Sequence, residues 1–177
     1  VSVARWHIKA KRSLSMRRSG TRKRRPIERL SQEPAMPTSA YDPNNIFARI
    51  LRGDLPSTKV FEDERVVAIM DVMPQGMGHT LVIPKAPSRN LLDIGEDDLK
   101  HTIVAVQRIA RAVKKAFDAP GVFVMQFNEP AAGQTVFHTH FHVIPRFEGV
   151  GLKPHTGDMA DAKLLSEHAG KIKAALA

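Results

Sequence analysis

Hydrophobic positions along the chain alternate between helical and strand spacing. Ile46, Phe47, Ile50 and Leu51 fall at i, i+1, i+4 and i+5, the stripe of a short amphipathic helix. Asp42 suits its cap, Pro43 its first position and Gly53 its exit. Two β-type runs follow, Lys59–Glu62 and Val66–Met70, joined by a hairpin loop at Glu62-Asp63-Glu64-Arg65. A breaker-rich loop with Pro74, Gly76 and Gly78 leads to a third strand, His79–Ile83. Leu99, Ile103, Val106, Ala110, Val113 and Phe117 recur at alternating steps of four and three, the pattern of a long helix. Glu96, Asp97 and Asp98 at its start and Lys114 and Lys115 at its end match the helix dipole. After Pro120-Gly121 come a strand at Val122–Phe127, a loop at Asn128–Gln134, a strand at Val136–Pro145 and a short helix near Ala160–Ala175. Strands joined by hairpins favour an antiparallel sheet with helices on one side, an α+β layout.

Composition changes this picture at one place. The formal charge is +9 over 177 residues. Residues 1–35 carry 11 Lys+Arg against 2 Asp+Glu, and the rest carries 16 of each sign. The whole excess therefore belongs to a basic extension, residues 1–40, which has too few apolar residues to offset the entropy of ordering it and is expected to be disordered. Three readings stand for it: a nucleic-acid-binding arm that neutralises phosphates, a transit peptide, or a start assigned upstream of a true start at Met36. The chain has no cysteine, which excludes disulfides and thiolate metal sites. No apolar run reaches transmembrane length.

The chemistry concentrates in residues 133–146, GQTVFHTHFHVIPR. His138, His140 and His142 alternate, so on a strand they share one face about 6.5–7 Å apart. Phe137, Thr139, Phe141 and Val143 take the other face. A lone histidine there is most often structural, and a pair two residues apart can join a third ligand in a zinc site. Three in succession, after Gly133-Gln134 and near Asn128, point more strongly to a phosphate site with a nucleophile. A strand sets His138 and His142 about 13 Å apart, too far to share an ion.

The run His138-Thr139-His140-Phe141-His142-Val143-Ile144 resembles the histidine-triad motif, with Thr139 in place of an apolar first spacer. Four more segments resemble the same family in order: Ile46 to Gly53, Phe61 to Arg65, Asp71-Val72-Met73-Pro74 with Gly78 to Lys85, and Asn128-Glu129 with Gly133-Gln134. The resemblance covers residues 41–150, leaves 151–177 as a C-terminal segment, and points to the nucleoside phosphoramidase or histidine-triad nucleotide-binding branch. It implies a five-stranded antiparallel sheet with a long helix and a short N-terminal helix.

The resemblance also implies roles. His140 would attack the α-phosphorus of a purine nucleotide, giving a nucleotidyl-histidine that water releases as the monophosphate. His142 would donate to phosphate oxygens, His138 would support His140, and Thr135 would donate to a phosphate oxygen or the leaving atom. Gly133 and Gln134 would line the phosphate, with Asn128 closing its other side. Asp71 would accept from the ribose hydroxyls; its alternative is a turn residue before Pro74. Phe47, Ile50, Leu55, Ile69 and Met70 would form the base pocket, unless they are ordinary core, and Val136 would join the substrate-binding residues. Many relatives carry a fourth histidine where Pro87 stands here, so the support around His138 must differ, with Ser88 or Arg89 as substitutes. His79 reads as structural, and His7, His101, His155 and His168 lack motif context. The expected protein is a cytoplasmic homodimer that needs neither metal nor cofactor. A dinucleoside polyphosphate hydrolase, a nucleotide-binding adaptor that uses the basic tail to reach nucleic acid, and a metal hydrolase are the alternatives.

Overall fold

The computed structural model describes residues 40–155 and 159–177. The readings of the basic extension, Met36 included, fall outside the described residues. Helix α1 spans Ile46–Arg52. Its cap is Asn45, whose side chain accepts from the Ala48 N–H at 3.0 Å. This corrects the expected Asp42 cap: Asp42 instead accepts from the Asn44 N–H one turn earlier, at 2.8 Å, and Pro43 stays outside the helix. Gly53 ends α1 in the left-handed region at φ 85°, where a side chain would be strained.

Strands β1 (Lys59–Glu62), β2 (Val66–Met70) and β3 (Thr80–Pro84) form an antiparallel meander. The side chain of Asp63 turns the first hairpin by accepting from the N–H groups of Arg65 and Val66, both at 2.8 Å. Helix α2 (Glu96–Ala116) leads to β4 (Gly121–Met125), and after a single 3₁₀ turn the chain returns as β5 (Phe141–Arg146). Helix α3 (Ala162–Leu176) closes the chain. The sheet is antiparallel in the order β1-β2-β3-β5-β4, which brings β5 between β3 and β4.

The fifth strand is shorter than its sequence pattern. Residues 136–140 precede it because its neighbour runs out: β3 ends at Pro84, which has no N–H to extend the ladder. Thr139 instead donates its N–H to the Ser88 carbonyl at 2.8 Å, in the loop beyond β3.

Helices cover both faces of the sheet, not one. Val66, Ala68, Met70, Val82, Phe141 and Val143 pack under α2 and α3, together with Val106, Ile109, Val113, Leu165 and Ile172. On the opposite face Val67, Ile69, Leu81 and Ile83 pack against Phe47, Ile50 and Leu51 of α1. Strand alternation sorts β2 between these two layers, so all five of its residues are buried. The buried face of α2 is Thr102, Ala105, Val106, Ile109, Ala112 and Val113. Ile103, expected inside, is 47% exposed and stands beside exposed Val104. Among the described residues no helix is long and apolar enough to cross a membrane.

Candidate active site

The sheet order places the site. His142 on β5 is registered with Leu81 on β3 and with Met125 on β4, so it lies inside the sheet, one strand from the β4 edge, on the α1 side. His140 lies just before β5, its ring 5.0 Å from that of His142 and 4.9 Å from that of Phe47. The two rings are closer than strand spacing predicts because His140 has left the regular ladder. His138 sits further back with no solvent exposure.

Hydrogen bonds assign the protons. His140 Nδ1 lies 2.6 Å from the His138 carbonyl, which can only accept, so Nδ1 carries the hydrogen and Nε2 keeps its lone pair. His138 Nε2 donates to the Pro84 carbonyl at 2.8 Å, and its Nδ1 accepts from the Tyr41 hydroxyl at 2.7 Å. His79 Nδ1 accepts from the Gln75 N–H at 3.1 Å, which leaves the hydrogen on Nε2. That nitrogen faces His142 Nδ1 at 2.9 Å and donates to it. His142 therefore carries its own hydrogen on Nε2. A lone pair on His140 and a donor on His142 stand side by side.

Burial keeps these rings neutral. It pushes His79 down to about 3, with charge on His142 and His155 acting in the same direction. It also pushes His142 down to about 3, reinforced by His140 and His155. Burial lowers His140 below the usual histidine range, partly offset by its bond to the His138 carbonyl. It lowers His138 as well, against the opposing bond to the Pro84 carbonyl.

Asp71 follows β2 directly and is 4% exposed. Its Oδ1 accepts from the Met73 N–H at 2.8 Å, and its Oδ2 accepts from His155 Nε2 at 2.9 Å. Oδ2 also stands 3.4 Å from His79 Nδ1. His155, half-buried, thereby brings the segment after β5 onto the histidine cluster, its ring 5.8 Å from that of His142.

Comparison with known proteins agrees with this arrangement, for the HIT domain profile matches residues 52–149. The chain belongs to the HIT family. A solved Hit-like protein from Bartonella henselae is 57% identical, with a TM-score of 0.73, over 77% of this chain and 99% of that one. A hypothetical histidine triad nucleotide-binding protein from Sulfolobus tokodaii is 32% identical, with a TM-score of 0.68, over 73% of this chain and 90% of that one. Adenylylsulfatase HINT3 of Arabidopsis thaliana is 36% identical over 103 residues, 58% of this chain and 52% of that protein. The HIT chain is thus related to nucleotide-binding, hydrolase-like proteins.

The remaining residues singled out from the sequence fall into three groups in this HIT domain. Phe47, Ile50, Ile69 and Val136 share the apolar cluster beside the histidines. Met70 does not: alternation along β2 turns it to the opposite face, under α2 and α3, so it is core rather than base pocket. Leu55 is half-buried outside that cluster. Gln134, expected to line a phosphate, braces the loops. Its Nε2 donates to the carbonyls of Arg89 and Val136 at 2.6 and 3.0 Å, and its Oε1 accepts from the Glu129 N–H and from Asn90 Nδ2 at 2.8 and 3.2 Å. Asn128 Oδ1 is likewise engaged, by the Leu91 N–H at 3.0 Å. Gly133, at φ 92°, and Thr135 are exposed beside it. Arg89 pairs with Glu129 at 2.7 Å.

Three contributors escaped the sequence reading. Tyr41 reaches His138 across 97 positions, and nothing local announces that contact. His79 was read as structural, yet it sets the tautomer of His142. Its position directly before β3, opposite Asp71 after β2, was the available signal. His155 carries no local motif at all.

Proposed function

We propose that this HIT protein cleaves nucleoside 5′-phosphoramidates or related nucleotidyl compounds at the α-phosphorus. The observation that carries the reading is the tautomer pair, a lone pair on His140 Nε2 next to a hydrogen on His142 Nε2. Nε2 of His140 attacks phosphorus and the bond to the leaving amine breaks. The leaving nitrogen takes a proton from solvent, which the attacking water of the second step gives back, and a nucleotidyl-histidine remains. Water then attacks the same phosphorus, expels His140 and yields the nucleoside monophosphate. Two displacements replace one difficult one. The neutral ring of His142 donates to the phosphate oxygens as their charge grows. Thr135, exposed on the loop before the triad, donates to a phosphate oxygen or the leaving atom.

The displacement uses imidazole nitrogens alone and calls for no metal. The apolar cluster of Phe47, Ile50, Ile69 and Val136 suits the face of a purine. A relative named for an adenylyl substrate supports a nucleotide on this scaffold. We place the protein in solution as a cytoplasmic homodimer. Edge strand β4 exposes Phe123 and Val124, 48% and 46%, apolar positions at the open edge of the sheet that a two-fold copy would cover.

The test is turnover of adenosine 5′-phosphoramidate by wild type and His140→Ala, with and without EDTA, with intact-mass detection of the adenylylated chain. AMP release that survives EDTA and collapses in the variant supports the reading. Equal activity in the variant, or none in a wild type that binds AMP tightly, moves the protein to a nucleotide-binding role.

A further inference from the structure

We propose that Asp71, His142 and His155 form a binding site for one zinc-like divalent cation. One ligand atom from each residue lies within 4.8 Å of the other two. The set already includes a close pair, Asp71 Oδ2 and His155 Nε2 at 2.9 Å, whose shared proton a cation would replace.

The donor set selects the ion. Two imidazole nitrogens and one carboxylate oxygen suit zinc and its first-row neighbours, whereas calcium and magnesium prefer oxygen ligands. Zinc bonds of about 2.0–2.2 Å set ligand atoms roughly 3.3 Å apart, so the Asp71–His155 pair opens slightly and the wider separations, up to 4.8 Å, contract. Three protein ligands leave a fourth position for water or a phosphate oxygen. Asp71 and His142 are buried and rigidly placed, while His155 is one-third exposed at its side chain and provides the route of entry. The neutral state of the buried His142 ring is the state that ligates. Outer partners are in place as well: the Met73 N–H fixes the second oxygen of Asp71, and His79 backs His142.

Binding the cation has a defined cost to the tautomer pair. If His142 ligates through Nδ1, the bond from His79 Nε2 is lost. If it ligates through Nε2, its hydrogen moves to Nδ1 and His79 must give up its own hydrogen on Nε2. The displaced hydrogen then belongs on His79 Nδ1, where Asp71 Oδ2 stands 3.4 Å away and the Gln75 N–H bond is surrendered. In the second case the donor that faces a phosphate disappears; in the first it is kept, and only the bond from His79 is given up. Ligation through Nε2 therefore excludes the state ready for phosphate, and His155, which lies beyond the matched HIT domain, supplies the third ligand in either case.

The binding claim does not depend on the reaction, so binding is measured directly. The chelator-stripped full chain is titrated with Co²⁺, whose visible bands report a tetrahedral nitrogen and oxygen site, and with Zn²⁺ by calorimetry. The expected result is one ion per chain, weakened at least tenfold in His155→Ala, since even partners outside the ligand shell shift affinity by about 10–100-fold. His168→Ala, on α3 away from the cluster, is expected to bind as wild type does. Imidazole ¹⁵N resonances of the unaltered chain provide a second reading that needs no variant: Zn²⁺ should move His142, His155 and His79 and leave His138 in place. No uptake by wild type, equal affinity in His155→Ala, or unmoved His142 and His155 resonances would overturn the proposal.

Discussion

Ser88 Oγ lies 2.8 Å from Thr139 Oγ1, and neither residue is appreciably exposed. The two hydroxyls satisfy one another at the place where this chain departs twice from the family pattern, at Pro87 and at the first spacer of the triad. The Ser88 carbonyl also accepts the Thr139 N–H, so this contact fixes the segment that carries His138 and His140. Ser88→Ala is expected to cost about 1–3 kcal/mol, because the buried Thr139 hydroxyl loses its closer partner and keeps only the Ser88 carbonyl at 3.4 Å. The double variant Ser88→Ala with Thr139→Val is expected to recover most of that loss. Urea titrations of all four proteins check the cycle, and strictly additive losses would refute the coupling.

His140→Ala is expected to lower phosphoramidate turnover by several orders of magnitude, as removal of a nucleophile does. Burial lowers the pKa of His140, and only its neutral form attacks. The acid limb of the rate should therefore lie below the ordinary histidine value of about 6.5. A pH–rate profile with its acid limb above that value would contradict the assignment.

Folding stability should fall in acid before any carboxylate titrates. Folded His79 and His142 lie near 3, whereas an unfolded histidine lies near 6.5. Between those values the unfolded chain binds more protons, so stability rises with pH, and the contribution is fully present only above about 6.5. The slope is at most about 1.4 kcal/mol per pH unit for each ring. Denaturant midpoints between pH 7.5 and 5 measure it, and a flat profile would exclude neutral burial of both rings.

Tyr41→Phe removes the hydroxyl that donates to His138 Nδ1 and leaves that buried nitrogen unpaired. A loss of about 1–3 kcal/mol is expected. Turnover should fall less than in His140→Ala, because the His138 carbonyl still orients His140. A ¹⁵N shift confined to His138 and its neighbours would separate this positioning role from general unfolding.

If β4 forms the proposed two-fold contact, Val124→Asp is expected to yield monomers without changing the far-ultraviolet spectrum, because Val124 is 46% exposed in the isolated chain. Light scattering after size exclusion checks this. A wild type that runs as a monomer at tens of micromolar would remove the premise.

Much of the fold could be read from the chain alone because its signals are local. The α2 dipole pattern, the Asp63 hairpin and the left-handed Gly53 each arise within a few residues. The error at Ile103 has a physical origin: steps of four and three define a stripe, but the position of the sheet and α3 rotates the buried face toward Thr102, Ala105 and Ile109. Likewise Met70 and Ile69 are equally apolar neighbours, and only the placement of helices on both faces of β2 tells core from site.

The sequence by itself determined where the candidate chemistry gathers, because three histidines at alternate positions stay close together along any extended segment, in or out of a ladder. What each nitrogen does was decided by tertiary structure. Gln75 and His79 set the hydrogen on His142, the backbone at His138 sets the one on His140, and Tyr41 and His155 arrive from opposite ends of the domain. An imidazole has two nitrogens and one hydrogen, and only its neighbours in space choose between them.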